Sequence, residues 1–260
     1  MNAQNGYGQK SKTGKSNMEE KQVKLKVLEF ANKVSNKKMG SKGAITASDP
    51  RYKIMEPVVS DEMAEVALVM EFRKKLNAEE LSKRCGKSFE LTEKLCWELA
   101  LAGVCFVNKV DGIDVYWYDT WVPGIMEMMC NNLENVRKYP QIAQAFEEYG
   151  RVVGPMTVGK FPLGVGAMRV IPIETAIQGE TRKASYEEIS KYLNDAHLFT
   201  VSDCSCRTSR EAIGEGCGHL KEDMCIQLDH AAEYYIRTGR GKEITRDEAF
   251  EIIRRAEENG

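Results

Sequence analysis

Residues Leu76–Tyr118 read LNAEELSKRCGKSFELTEKLCWELALAGVCFVNKVDGIDVYWY, and the punctuation of this stretch decides the fold class. Asn77 is a capping residue, so a short helix opens at Ala78 and runs to Arg84, and Gly86 stops it. Ser88 caps a second helix, which carries Leu91, Leu95, Trp97, Leu99 and Leu101 and ends at Gly103. Two β-rich runs then flank Asp111-Gly112, a dipeptide favoured in tight hairpins because both positions take positive φ. Upstream, Met63 to Lys75 places Val66, Leu68, Val69 and Phe72 at helical spacing.

Helix, short helix, turn, helix and hairpin, in that order, is the plan of a winged-helix domain. The expected fold class is therefore α+β and mainly helical, with a winged-helix-like domain over residues 44–120 followed by a small cysteine-rich domain. Such a domain suggests DNA binding, but its second long helix presents Glu90, Glu93 and Glu98 against a single Lys94. The hairpin adds Lys109, offset by Asp111 and Asp114. Phosphates repel carboxylates at that position, so the module reads as a structural or docking element and nucleic acid is disfavoured as a partner.

The 260 residues carry a net charge of −2, unevenly spread. Residues 1–43 hold ten lysines and three glutamates, +7, which leaves −9 for the rest. This basic opening reads as a disordered arm, within which a first helix is expected around Glu19 to Val34 on partial apolar periodicity, broken by Gly40-Ser-Lys-Gly43. Residues 44–60, with Pro50 and Pro57, look like an extended connector. Residues 121–164 form a helical connector, rich in methionine (Met126, Met128, Met129) and split at Pro140. Within residues 165–260, a β-like run is expected from Met168 to Ile177, a helix from Ser185 to Tyr192, and a short strand from His197 to Val201. The residues from Ile226 to Arg237 read as a helix, and a capping box at Thr245-Arg-Asp-Glu248 opens a final one. No apolar run could span a bilayer and no signal peptide is legible, so a cytoplasmic location without membrane contact is expected.

Eight cysteines in such a compartment should be reduced. Cys85, Cys96, Cys105 and Cys130 are scattered among apolar residues and read as small buried hydrophobes. The other four fall close together as Asp203-Cys204-Ser-Cys206-Arg207, Gly216-Cys217-Gly-His219 and Met224-Cys225, a C-x-C-x10-C-x7-C spacing. Four thiolates satisfy a tetrahedral zinc ion or a four-iron cluster. C-x-C is too tight for the ordinary C-x2-C zinc knuckle, and glycines at 214, 216 and 218 let backbone N–H groups approach sulfide. A 4Fe–4S cluster is thus favoured over zinc. Arg207 and His219 are candidate surrounding groups that tune the site; His219 could instead replace one cysteine as ligand. His197 and His230 read as ordinary strand and helix residues. No catalytic nucleophile or acid–base pair is legible.

The cysteine run, together with Ala231-Ala-Glu-Tyr-Tyr-Ile236 and Gly239-Arg-Gly-Lys-Glu-Ile-Thr245, resembles iron–sulfur proteins of anaerobic bacteria, of the 4Fe–4S ferredoxin-type or pyridine-nucleotide-disulfide-oxidoreductase-associated kind. The likeness is clearest over residues 165–260. It implies a 4Fe–4S cluster on Cys204, Cys206, Cys217 and Cys225 and electron transport within an anaerobic oxidoreductase system, with a flavoprotein or ferredoxin as redox partner. The chain has no C-x2-C-x2-C-x3-C run, G-x-G-x-x-G fingerprint or P-loop. Flavin, nucleotide and second-cluster functions would then sit on a partner or on a further C-terminal part, and the chain would be an electron-transfer component rather than a complete enzyme. Two alternatives stand beside this: a metal- or cluster-sensing winged-helix regulator, and a zinc-stabilised scaffold.

Overall fold

The structure, a computed structural model, describes residues 22–35, 45–158 and 189–259. Among these residues the chain is α+β and mainly helical, with two small antiparallel sheets. The first unit is built from α3 (Asp61–Val69), β1 (Leu76–Asn77), α4 (Ala78–Cys85), α5 (Phe89–Ala102), β2 (Phe106–Val110) and β3 (Ile113–Trp117). Its strands lie in the order β1–β3–β2. The Asn77 side chain accepts from the Glu80 amide while Glu80 reaches back to the Asn77 amide, which fixes the start of α4. Asp111 and Gly112 take φ of 51° and 80°, as the tight hairpin requires.

Three expectations need correction here. The stretch 1–43 is not wholly an arm: α1 (Leu25–Val34) buries Val27, Phe30, Ala31 and Val34 in the main core. Val27, Phe30 and Val34 each contribute about 1.5–3 kcal/mol by leaving water, which outweighs the polar composition around them. Residues 1–21 and 36–44 lie outside the described residues. The connector 44–60 is not extended, because Asp49 caps α2 (Pro50–Met55), with Pro50 at its first position. Finally, α3 ends at Val69 rather than continuing to Lys75, and Phe72 is 49 % exposed.

Beyond β3, a π-turn (Trp121–Ile125) leads into α6 (Met126–Cys130), α7 (Leu133–Lys138) and α8 (Gln141–Val158), with the expected break at Pro140. Met126, Met128 and Met129 are buried, as are Cys96, Cys105 and Cys130. The β-like run Met168–Ile177 lies outside the described residues. Next come α9 (Ile189–Asp195), β4 (Phe199–Ser202), α10 (Ser205–Ala212), β5 (Cys225–Leu228), α11 (Asp229–Arg237), β6 (Lys242–Ile244) and α12 (Arg246–Asn259). Here the expected helix Ile226–Arg237 is corrected: its first part is strand β5, and β6 had no expectation at all. Both pair with β4, the central strand, in the order β5–β4–β6. Short strands of two to four ladder partners carry little periodicity, and neighbours rather than local pattern decide them.

The division at residues 120 and 164 does not divide the core. Tyr234 and Tyr235 of α11 belong to the same hydrophobic cluster as α1, α3, α5 and β2. A second, smaller cluster of Leu193, Phe199 and Ala249 fills the other face of β4 under α9 and α12. No helix among the described residues is long and apolar enough to cross a membrane.

Candidate metal centre

β4 is buried along its length and delivers the chain to Asp203 and Cys204. Ser202 is the register partner of Cys225 on β5, so the end of one strand and the start of the next bring two of the four cysteines side by side. The junction is pinned from several directions. The Cys204 amide donates to Lys221 O (2.8 Å), the Met224 amide to Ser202 O (3.1 Å) and the Asp223 amide to Asp203 Oδ1 (3.1 Å). From α6, the buried Asn131 donates to Asp203 O (3.0 Å) and to Ser202 Oγ (3.3 Å).

Cys204 occupies the N-cap of α10 and Cys206 lies in its first turn. The Cys206 thiol hydrogen-bonds the Cys204 sulfur; burial opposes ionisation, while the Arg207 and Cys206 amides and the Arg207 charge favour it. The balance lowers the Cys204 thiol to about 6. Cys206 is held well above the usual thiol range, first by that same contact and then by burial. Cys225 is pushed up by burial and by Cys204, against hydrogen bonds from Gln227 and Ser202.

The expected ligands therefore divide. Cys204, Cys206 and Cys225 share one neighbourhood and feel one another's charge. Cys217 is exposed on the loop between α10 and β5. Gly214 and Gly218 on either side of it take φ of 78° and 77°, backbone that side chains rarely tolerate. Among the described residues no group of three His, Cys, Asp or Glu side chains is close enough to hold a metal ion as it stands. Thiolate sulfur is the right donor type for a soft metal or a cluster, but as placed the three thiols do not close on one centre.

Arg207 sets its charge near Cys204, and its guanidinium also donates to Leu220 O, tying α10 to the loop. His219 is on the exposed loop with Nδ1 2.8 Å from the Asn259 carbonyl at the end of α12. Glu127 was not anticipated. Its carboxyl accepts from the Gly124 amide (2.7 Å), is raised by burial, and its charge is felt by Cys206 and Cys225. The only sequence signal was a lone carboxylate among methionines, indistinguishable from a solvent-facing residue until α6 was placed against α10. Beside the site, a cleft of about 860 Å³ opens between α7 and the β4 end, lined in part by Asn132, Asn135, Asp203 and Arg240.

No protein-family model, curated protein or solved structure matches the chain.

Proposed function

We propose that the chain is an iron–sulfur protein that carries electrons within an oxidoreductase system, its cluster held by Cys204, Cys206, Cys217 and Cys225. The observation that supports this most is the convergence of three reduced thiols at the β4–α10–β5 junction, one of them stabilised as thiolate. A bound cluster would supply one-electron chemistry. The chain's own part is to present sulfur, donate hydrogen bonds from Gln227 and Ser202 toward Cys225, and place the Arg207 charge beside Cys204.

The first unit is proposed as a winged-helix-like module used for docking. Its element order and its β1–β3–β2 sheet support that reading. DNA reading is disfavoured because Glu90 and Glu93 are exposed on α5. The hairpin is also engaged elsewhere: Asn108 Nδ2 donates to Glu233 Oε2 (2.5 Å), the Lys109 amide donates to Glu233 Oε1 (2.6 Å), and Arg237 pairs with Asp114 at 2.5 Å.

Anaerobic purification followed by metal analysis and absorbance spectroscopy tests the proposal. The expected result is iron and sulfide with a broad band near about 400 nm, the general signature of iron–thiolate charge transfer, lost in Cys206→Ala. A colourless protein with one zinc per chain would instead establish the scaffold.

A further inference from the structure

The cleft beside α7 has a charge balance that the cysteine site does not explain. Its volume of about 860 Å³ falls within the range of small-molecule sites, about 300–1,000 Å³. Arg240 lines it, partly buried on the turn between α11 and β6. The guanidinium donates to Met128 O (3.1 Å), to the Tyr234 hydroxyl (2.8 Å) and to Leu101 O, all uncharged acceptors. Among the described residues it pairs with no carboxylate. The carbonyl ends of α5 and α6 orient the guanidinium by their dipoles and leave its formal charge without a counter-ion. Both Nη1 protons are engaged, whereas Nε and Nη2 each keep an N–H to give. Those two nitrogens share the edge that takes a carboxylate as a parallel pair of hydrogen bonds.

A second cation lies further along the same wall. Asn132 Nδ2 donates to the same Leu101 carbonyl (3.0 Å), which sets the start of α7 beside Arg240. Asn135 and Lys138 follow at three-residue steps, on one face of the helix, and both line the cleft. The Asn135 side-chain amide bonds no protein group, and the Lys138 ammonium lies 5.2 Å from the centre of the Tyr139 ring with no carboxylate partner among the described residues. Six positions separate Asn132 from Lys138, about 9 Å of helix axis. Most of the cleft's own carboxylates are answered elsewhere: Asp223 by Lys242 (2.9 Å), Glu98 by Lys94 (3.8 Å) and Asp203 by the Asp223 amide (3.1 Å), while Glu134 is exposed. The backbone amides that a phosphate would need are spent. Those of Gly239, Arg240 and Gly241 donate to Ile236 O and Tyr235 O, and that of Asn135 to Asn132 Oδ1.

We propose that this cleft binds a small aliphatic dicarboxylate. One carboxylate lies side-on to Arg240, the other reaches Lys138, and the Asn135 amide donates to an oxygen between them. The site draws on none of the cysteines, so it stands whether or not the chain carries a cluster.

Isothermal titration calorimetry of the full chain at low salt, with succinate, acetate and inorganic phosphate in turn, tests this. Succinate should bind one per chain, about tenfold more tightly than acetate or phosphate, as one additional charged hydrogen bond implies. Lys138→Gln, at an exposed position, should bring succinate down to the acetate level. Arg240→Lys, checked for native circular dichroism, should weaken succinate by about tenfold or more through loss of the paired donors. If that variant does not fold, Lys138→Gln carries the test alone. The proposal is overturned by an absence of saturable succinate binding, by phosphate binding as tightly as succinate, or by a Lys138→Gln chain that keeps the wild-type preference for succinate. Succinate binding by a colourless, iron-free chain upholds it and counts only against the cluster.

Discussion

Asp49 sits before Pro50 and does two jobs: its carboxylate accepts from the Arg51 amide (2.9 Å) and pairs with the Arg51 guanidinium at 2.6 Å. Burial alone would raise its pKa, but the hydrogen bonds and charge of Arg51 outweigh burial and leave it below the ordinary 3.8. The folded carboxyl thus binds its proton less tightly than the unfolded one. Its contribution is complete above the unfolded value and is lost as pH falls through the lower folded value. Asp49→Ala should cost about 2 kcal/mol at neutral pH, through the lost cap and the unpaired, buried guanidinium. The gap to wild type in urea unfolding should narrow as pH drops below the carboxylate range. Nothing in the sequence distinguishes this Asp-Pro from a loop turn. What makes it a helix start is the packing of α2 against α8.

Among elements, α4 and α5 both end in a left-handed glycine, yet the two glycines differ in consequence. A Cβ at Gly86 would meet nothing within 4 Å, whereas one at Gly103 would lie 2.7 Å from the Met128 and Met129 backbone. Gly86→Ala should cost about 1 kcal/mol from the positive φ alone. Gly103→Ala adds a backbone clash that must push α5 from α6, and should cost about 3 kcal/mol or more, read from the two thermal midpoints. Both stops were legible because a glycine after a run of periodic residues has a local cause. The clash that separates them was not, since Met128 is brought there by the tertiary fold. The final helix was legible for the same local reason: Thr245 and Glu248 bond reciprocally at its start. β5 and β6 were not, because the pairing that makes them strands is with β4, more than twenty residues away from each in the chain.

At the scale of the molecule, α11 joins the cysteine unit to the rest. It follows β5 directly, and Tyr234 donates to Ala100 O (2.9 Å), accepts from Arg240 (2.8 Å) and packs edge-on against Phe106 at 5.2 Å. Tyr234→Phe removes the hydroxyl that bridges Ala100 O and Arg240; the carbonyl keeps the Gly103 amide (3.0 Å) and the guanidinium keeps Met128 O (3.1 Å), so stability should fall by about 1 kcal/mol. Because one core runs through both units, the described parts should unfold in a single transition, with α11 tryptic sites and near-ultraviolet signals lost together. Two separate transitions would show that the join is weaker than its contacts imply. The sequence by itself determined the helices with their own caps and stops, the tight hairpin and the grouping of four cysteines, because each rests on neighbours within a few residues. Only the tertiary structure decided that α1 and α2 belong to the core and that the hairpin is engaged by α11. It also decided that three cysteines share a neighbourhood with Glu127 while Cys217 is exposed on its loop, since these depend on surfaces buried between segments far apart in the chain.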